Sequence, residues 1–358
     1  MKIAFFFNNL SNTGTNIATR DLIYQLKKTQ SLECIDVFFF DKVENELEIT
    51  ESKIQISFFT RVDFSKYDII HSSNLRSDFY VFFNKSFFSR EKRIKYVTSV
   101  HSIIPEDLSF TYSNLVSKLI SPIWIKVKKN NDAIVVSSDS MYNYYKDLFG
   151  NKNLSIIEYG RSIEPLDNFK IPETDIDLIL SFKKKYKVIG TVGSLIKRKN
   201  YEAVISLLKK DENYGWICLG LGEEHDNLLK LLKENEFEDR VLFLGFKTDS
   251  RPYYEFFNLF FHPSRSEGFA LVIIDAMSHK TPMLLSNLEV YKSIIKEDMA
   301  FYFELDDEVS LSDTFEKIRQ GGRAVEKVVE KSFMTYEAKF SIEKYGEKHL
   351  VIFNSLIR

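Results

Sequence analysis

The chain has 358 residues, 44% hydrophobic and 28% charged, which is too apolar for a disordered chain and suits two domains of roughly 150–180 residues each. Forty-nine basic against 51 acidic side chains leave a formal charge of −2 and exclude a polycation built to coat nucleic acid. The two cysteines, Cys34 and Cys218, offer neither a disulfide framework nor a Cys-rich zinc site, as suits a reducing compartment.

The opening apolar run, Ile3 to Phe7, is ended by Asn8 and Asn9 too early for a signal peptide. No stretch approaches the roughly 18 apolar residues that cross a bilayer, so a soluble cytoplasmic protein is expected. Strand-like runs then recur at Ile35–Phe40, Asp68–His71, Ile94–Val100, Ala133–Ser137 and Leu154–Ile157. Amphipathic segments at Asn16–Lys27, Asn114–Lys128 and Ser138–Phe149 read as helices between them. After a polar connection, Glu164–Lys187, the cadence restarts at Val188–Val192 and continues through Trp216–Leu219, Val241–Leu244, Leu259–His262 and Met283–Leu285. Strands alternating with helices predict an α/β chain of two Rossmann-like domains with parallel sheets facing a central cleft. The expected division is a first Rossmann-like domain at 1–163, a linker region at 164–187, a second Rossmann-like domain at 188–335, and a C-terminal helical segment at 336–358 packing back on the first domain.

Ligands of open parallel sheets bind beyond the carboxyl ends of the strands, so the loops there carry the chemistry. Ser264 to Ala270 leads into an apolar helix, Leu271–Ser278, that holds one carboxylate, Asp275. A buried carboxylate requires hydrogen-bond donors. A vicinal diol such as ribose supplies two, and a neighbouring lysine or backbone amide is the alternative. The amides at the helix start, Ala270 to Val272, suit a diphosphate. Gly193-Ser194-Leu-Ile-Lys197-Arg198-Lys199-Asn200 follows the first strand of the second half; on local grounds its cations read first as a solvated loop, with neutralisation of a diphosphate leaving group as the sharper alternative. Gly220-Leu-Gly222-Glu223 lacks the third glycine of a dinucleotide fingerprint, so NAD is not supported.

Taken in order, these loops resemble those of the family 4 glycosyltransferases, group 1, which have the GT-B fold. Glu158-Tyr159-Gly160-Arg161-Ser162-Ile163 is similar to the family's segment at the domain junction, and Gly193 to Asn200 to its "GRLxxxKG". Gly220-Leu-Gly222-Glu223 is similar to "GdGpe", Val241 to Gly245 to "VxFlG", and Thr98 to His101 to a strand end closing on histidine. Ser264 to Asp275 resembles the loop and helix that bear two acidic residues separated by seven others. The resemblance implies that Glu267, with the amides of Gly268, Phe269, Ala270 and Leu271, holds the donor sugar. It implies that Asp275 binds ribose, that Lys199, assisted by Arg198, binds the diphosphate, and that His101 reaches the sugar or acceptor. No metal or other cofactor is expected beyond the nucleotide-sugar donor. The chain departs from the family in Asp275, which stands for a second Glu, and in Ser194, which stands for a phosphate-binding Arg. Thr13-Gly14-Thr15 replaces a Gly-Gly pair, and Gly14 and Thr15 are the acceptor-side candidates.

The implied reaction is retaining transfer of a sugar to a saccharide or lipid-linked saccharide, as in lipopolysaccharide or capsule assembly. The leaving phosphate assists acceptor deprotonation, and Glu267 positions the sugar. A catalytically silent GT-B subunit that stabilises a partner enzyme, and a GT-B nucleotide-sugar epimerase, are the alternatives. The metal-dependent sister class uses Asp-x-Asp; the one such triplet, Asp175-Ile-Asp177, is expected to be a solvated helix start. His262 is expected to support the Glu267 loop, and His71, His225, His279 and His349 are given no role. Arg76 to Lys129 holds ten Lys/Arg and four Asp/Glu, a local net of +6, interleaved with Phe79, Tyr80, Phe82, Phe83, Phe87, Phe88 and Trp124. That stretch reads either as core aromatics with a wet basic face or as a surface that meets an anionic membrane at its inner face.

Overall fold

A computed structural model describes residues 1–29, 32–44, 46–88, 93–150, 154–165, 169–267 and 269–358. The chain forms two compact units, Met1–Arg161 with Lys339–Arg358, and Ser162–Ala338.

Seven parallel strands make the first sheet: β1 (Lys2–Asn9), β2 (Cys34–Asp41), β3 (Ser52–Gln55), β4 (Ile69–Ser72), β5 (Lys95–Val100), β6 (Ala133–Val136) and β7 (Leu154–Ile156). Their spatial order is β3-β2-β1-β4-β5-β6-β7. Helices α1 (Gly14–Lys27), α2 (Leu75–Lys85), α3 (Ile104–Thr111), α4 (Asn114–Lys129) and α5 (Asp139–Phe149) join them. Because crossover helices cover both faces of a parallel sheet, its strands are apolar without alternation, and Ile3 to Phe7 are all buried. On one face Phe6 stacks on Phe38 at 4.8 Å and meets Tyr80 at 5.5 Å. The chain runs outward from β1 to β3 and then crosses to β4, so the switch in strand order lies between β1 and β4.

The second sheet repeats the plan with six parallel strands: β8 (Lys187–Val192), β9 (Tyr214–Leu219), β10 (Val241–Gly245), β11 (Leu259–His262), β12 (Met283–Ser286) and β13 (Phe301–Phe303). Their order is β10-β9-β8-β11-β12-β13, with the switch between β8 and β11. Helices α6 (Glu173–Lys183), α7 (Val204–Lys210), α8 (His225–Glu234), α9 (Leu271–Ser278), α10 (Glu289–Ile294), α11 (Glu308–Gln320) and α12 (Arg323–Thr335) belong to this unit. Trp216, Phe261 and Phe315 are central to its core. A last helix, α13 (Ile342–Ile357), returns to the first unit, where Gly346 lies so close to Gln25 of α1 that a Cβ would meet its side chain at 2.5 Å.

Three details differ from the sequence expectation. Strands β3 and β13 were not anticipated. Asp175 starts α6 but is not solvated; it is buried, 2.6 Å from Lys247 Nζ, and accepts from the Tyr253 hydroxyl at 2.5 Å. The basic stretch splits: Tyr80, Trp124 and Lys128 are interior, whereas Phe83, Leu115, Leu119 and Ile123 are exposed.

Candidate functional site

Strands β8 and β11 flank the second sheet's switch point, and both candidate loops leave their carboxyl ends. The first begins at Gly193, whose φ of +141° and lack of side chain are both required, since a Cβ would lie 2.8 Å from the Tyr201 hydroxyl. Gly220 backs it; a Cβ there would stand 1.9 Å from the Gly193 carbonyl oxygen, so this glycine serves close packing of two strand ends. Lys197–Lys199 form one 3₁₀ turn, closed by Asn200 in the left-handed region at φ 55°. The second loop is laced onto that turn. The Arg265 amide donates to the Arg198 carbonyl at 2.8 Å, the Ser264 hydroxyl does so at 3.2 Å, and the Arg198 guanidinium donates to the Ser266 carbonyl.

This lacing gathers the charged candidates. Lys199 Nζ donates to Glu267 Oε1 at 2.6 Å, Arg198 Nη1 lies 3.3 Å from Oε2, and His262 Nε2 lies 3.3 Å from Oε1. Burial of Glu267 favours its neutral form, but His262, Lys199 and Arg198 outweigh it and hold the carboxyl well below the usual range. Burial pushes the Lys199 ammonium down, and Glu267 opposes that. Sequence reasoning gave Lys199 and Glu267 separate tasks; the structure joins them directly. Ser194 is exposed and carries no charge, and Arg198 lies in the 3₁₀ turn that follows.

Helix α9 follows. Its N-cap is Ala270, which provides no side-chain cap, and the first amides of a helix have no acceptor one turn back. Leu271 and Asp275 are both buried, Asp275 in the body of the helix. Phe269 is half-buried before the helix, and Gly268 lies outside the described residues.

In the first unit, Gly14 and Thr15 open α1 beside the switch strand β1. Asn16 fixes this loop by donating to the carbonyls of Asn9 at 3.0 Å and Ser11 at 2.9 Å. His101 follows β5. Its Nδ1 pairs with the Tyr159 hydroxyl, while Nε2 is buried without a hydrogen-bond partner. Burial first, then Lys128 and His349, push its pKa down to about 3, so the ring is neutral at physiological pH.

Two residues that sequence reasoning missed lie beneath this strand end. Lys128 is 1% exposed and sits 2.7 Å from Asp78 Oδ2. Its ammonium also donates to Thr98 Oγ1 at 2.9 Å and to the Ser99 and Ser73 carbonyls at 2.9 and 3.2 Å. Asp78 in turn accepts from Trp124 Nε1 at 2.7 Å and the Ser72 hydroxyl at 2.6 Å. The signal was helical spacing: Lys128 lies four residues past Trp124 and seven past Ser121, on the buried side of α4. Lys128→Met should therefore cost about 3–5 kcal/mol in urea unfolding, because it strands the Asp78 carboxylate. Adding Asp78→Asn should recover part of that loss, and a full sum of the two single losses would show the groups to be uncoupled.

Two family profiles match the chain: "Glycosyltransferase Family 4" over residues 55–164 and "Glycosyl transferases group 1" over 173–332. The O-antigen biosynthesis glycosyltransferase WclY of Escherichia coli is 24% identical over 368 residues, covering 100% of this chain and 99% of that protein. The lipopolysaccharide core biosynthesis glycosyltransferase LpsE of Rhizobium meliloti is 23% identical over 240 residues, 65% of this chain and 67% of that protein. Among solved structures, Anabaena Alr3699/HepE in complex with UDP and glucose superposes with a TM-score of 0.79 at 17% identity, over 99% of this chain and 100% of that one.

Proposed function

This chain belongs to the family 4, group 1 glycosyltransferases of GT-B fold, and from that premise we propose that it transfers a sugar, with retention, from a nucleoside-diphosphate sugar to a saccharide or lipid-linked saccharide in surface-polysaccharide assembly. The observation that carries this reading is the Lys199–Glu267 pair, 2.6 Å apart, at the switch point and beside the N-terminus of α9. Displacement of a sugar builds negative charge on the leaving phosphate. Lys199, Arg198 and the first amides of α9 oppose that charge in a preorganised, largely dry setting. Glu267 then faces the sugar hydroxyls with Gly268, Phe269 and Ala270, and Asp275 takes the ribose. His101, neutral and with Nε2 unpartnered, is a hydrogen-bonding group for the sugar or acceptor. The leaving phosphate itself receives the acceptor proton on the same face. WclY's role in O-antigen biosynthesis supports the choice of pathway class.

The direct test is thermal shift and donor hydrolysis with UDP-, GDP- and ADP-sugars. A donor that raises the melting temperature and turns over supports the enzyme. One that binds but never turns over, with any acceptor, supports the silent subunit.

Association with an anionic membrane surface belongs to the same reading. Among the described residues no helix is long and apolar enough to cross a membrane. Helix α4, however, exposes Leu115, Leu119 and Ile123 at 68%, 63% and 50%, spaced four residues apart and flanked by exposed Lys118, Lys126 and Lys129. Lys85 contributes little, since its ammonium donates to the Asn130 carbonyl at 2.6 Å, and Arg90 and Lys92 lie outside the described residues. Each free lysine near an anionic leaflet is worth about 1 kcal/mol and is screened by salt. Replacing Lys118, Lys126 and Lys129 by Ser, or Leu119 and Ile123 by Ser, should release the protein from phosphatidylserine vesicles in a sedimentation assay. Wild-type protein that stays in the supernatant at low salt refutes the surface.

A further inference from the structure

His262 ends β11 and is fully buried. Its Nδ1 makes no hydrogen bond among the described residues, which costs about 1–3 kcal/mol for a buried polar atom left unsatisfied, and its Nε2 has only a long contact to Glu267. The ring is nevertheless firmly seated, stacked on Phe260 at 5.6 Å and packed against Tyr291 of α10 at 5.8 Å. Its Nε2 points to Glu267 Oε1 from 3.3 Å, just beyond a good bond, and that oxygen is already occupied by Lys199 at 2.6 Å. The charged groups that act on the imidazole are Lys199 and Arg198 from the 3₁₀ turn and Glu267 from its own loop; Tyr291 from α10 adds a phenol. Burial and Lys199 hold the ring neutral in the free protein, while Glu267 pulls the other way.

A diphosphate arriving at Lys199 and Arg198 changes this balance. It adds two negative charges beside the cations that repel a proton from His262, and it competes with Oε1 for the lysine. We propose that His262 takes up a proton from solvent when a sugar diphosphate draws Lys199 away from Glu267, so that His262 replaces Lys199 as the partner of Oε1 and keeps the carboxylate aimed at the sugar. This rests on the donor-site reading above. His262 is then a positioning residue acting through Glu267, and its long 3.3 Å contact to Oε1 is the starting half of an exchange. The sign follows from linkage: a group that binds protons more tightly in the complex makes donor affinity rise as pH falls through its bound-state pKa, levelling off below its free-state pKa.

Sugar nucleotides suit the test because their diphosphate carries no group that titrates near neutrality. Calorimetric titration of the full chain with UDP-glucose, GDP-mannose and ADP-glucose at pH 6.5, in buffers of different ionisation enthalpy, reads the protons exchanged. Wild type should take up a substantial fraction of a proton with whichever donor binds. His262→Gln, which keeps a donor at the Nε2 position but cannot titrate, should take up none and lose the pH dependence of affinity. Uptake that persists in His262→Gln, or no uptake by wild type, overturns the proposal. If the variant does not fold, the wild-type His262 ring resonances decide: their titration midpoint should rise on adding donor, and an unmoved midpoint overturns the exchange. If none of the three donors binds, the donor-site reading fails first and the exchange falls with it.

Discussion

Glu267→Gln should abolish sugar transfer while leaving the affinity for nucleoside diphosphate within a few-fold of wild type. The carboxylate is nearly buried and accepts from Lys199 at 2.6 Å, so the substitution preserves shape and removes only charge. Lys199 is then released from its partner, which can only help a diphosphate and sets the sign of any change in binding. Turnover falls because an amide presents one acceptor where the carboxylate presents two, and its hydrogen bonds to sugar hydroxyls are the weaker neutral kind. The same substitution has a pH signature. A carboxyl held well below its usual range stabilises the folded protein above the unfolded value of about 4.3 and loses that contribution as pH falls through the folded pKa. The melting temperature of Glu267→Gln should therefore decline less steeply than that of wild type in acid. Near-full turnover by this variant, measured with the donor identified by thermal shift, would mean that Glu267 does not face the sugar.

The fold was legible where burial leaves a pattern and illegible where it does not. Continuous apolar runs such as Ile3–Phe7 and Leu259–His262 marked strands covered on both faces, and all eleven expected strands are present. Strand β3, Ser-Lys-Ile-Gln, is exposed along its whole length and is held at the sheet edge by backbone pairing with β2. No side-chain signal could have disclosed it. The loops at strand ends were legible as places for chemistry. Their mutual contact was not, because Lys199 and Glu267 are 68 residues apart and meet only where β8 and β11 adjoin. Lys128 shows the opposite failure. A charge on a helix was read as a wet face, although its spacing from Trp124 placed it inward. A buried lysine survives there because Asp78 and Thr98, with two carbonyls, satisfy it, and that constellation comes from four separate segments.

Lys199→Ala should lower kcat and kcat/KM together by about 30- to 1,000-fold, the kinetic equivalent of roughly 2–4 kcal/mol for removing a preorganised donor to developing charge. The equal fall is the informative part. A lysine that merely helped to hold the donor would raise KM and spare kcat. Lys199 is better placed for the larger share than Arg198, whose guanidinium is already committed to the Ser266 carbonyl and lies 3.3 Å from Glu267 Oε2. Removing the ammonium also leaves the Glu267 carboxylate buried with one fewer donor, so some loss of stability accompanies the loss of rate. Melting curves with and without donor separate the two effects, since a variant that is folded at the assay temperature and still slow has lost transition-state stabilisation. Lys199→Arg should recover part of the rate by restoring the charge, but not all of it, because the planar fork cannot place one donor where the compact ammonium does. Arg198→Ala combined with Lys199→Ala should cost more than either alone. An unchanged rate in Lys199→Ala would transfer the phosphate role to Arg198 and the amides of α9, and the double variant would then carry the whole loss.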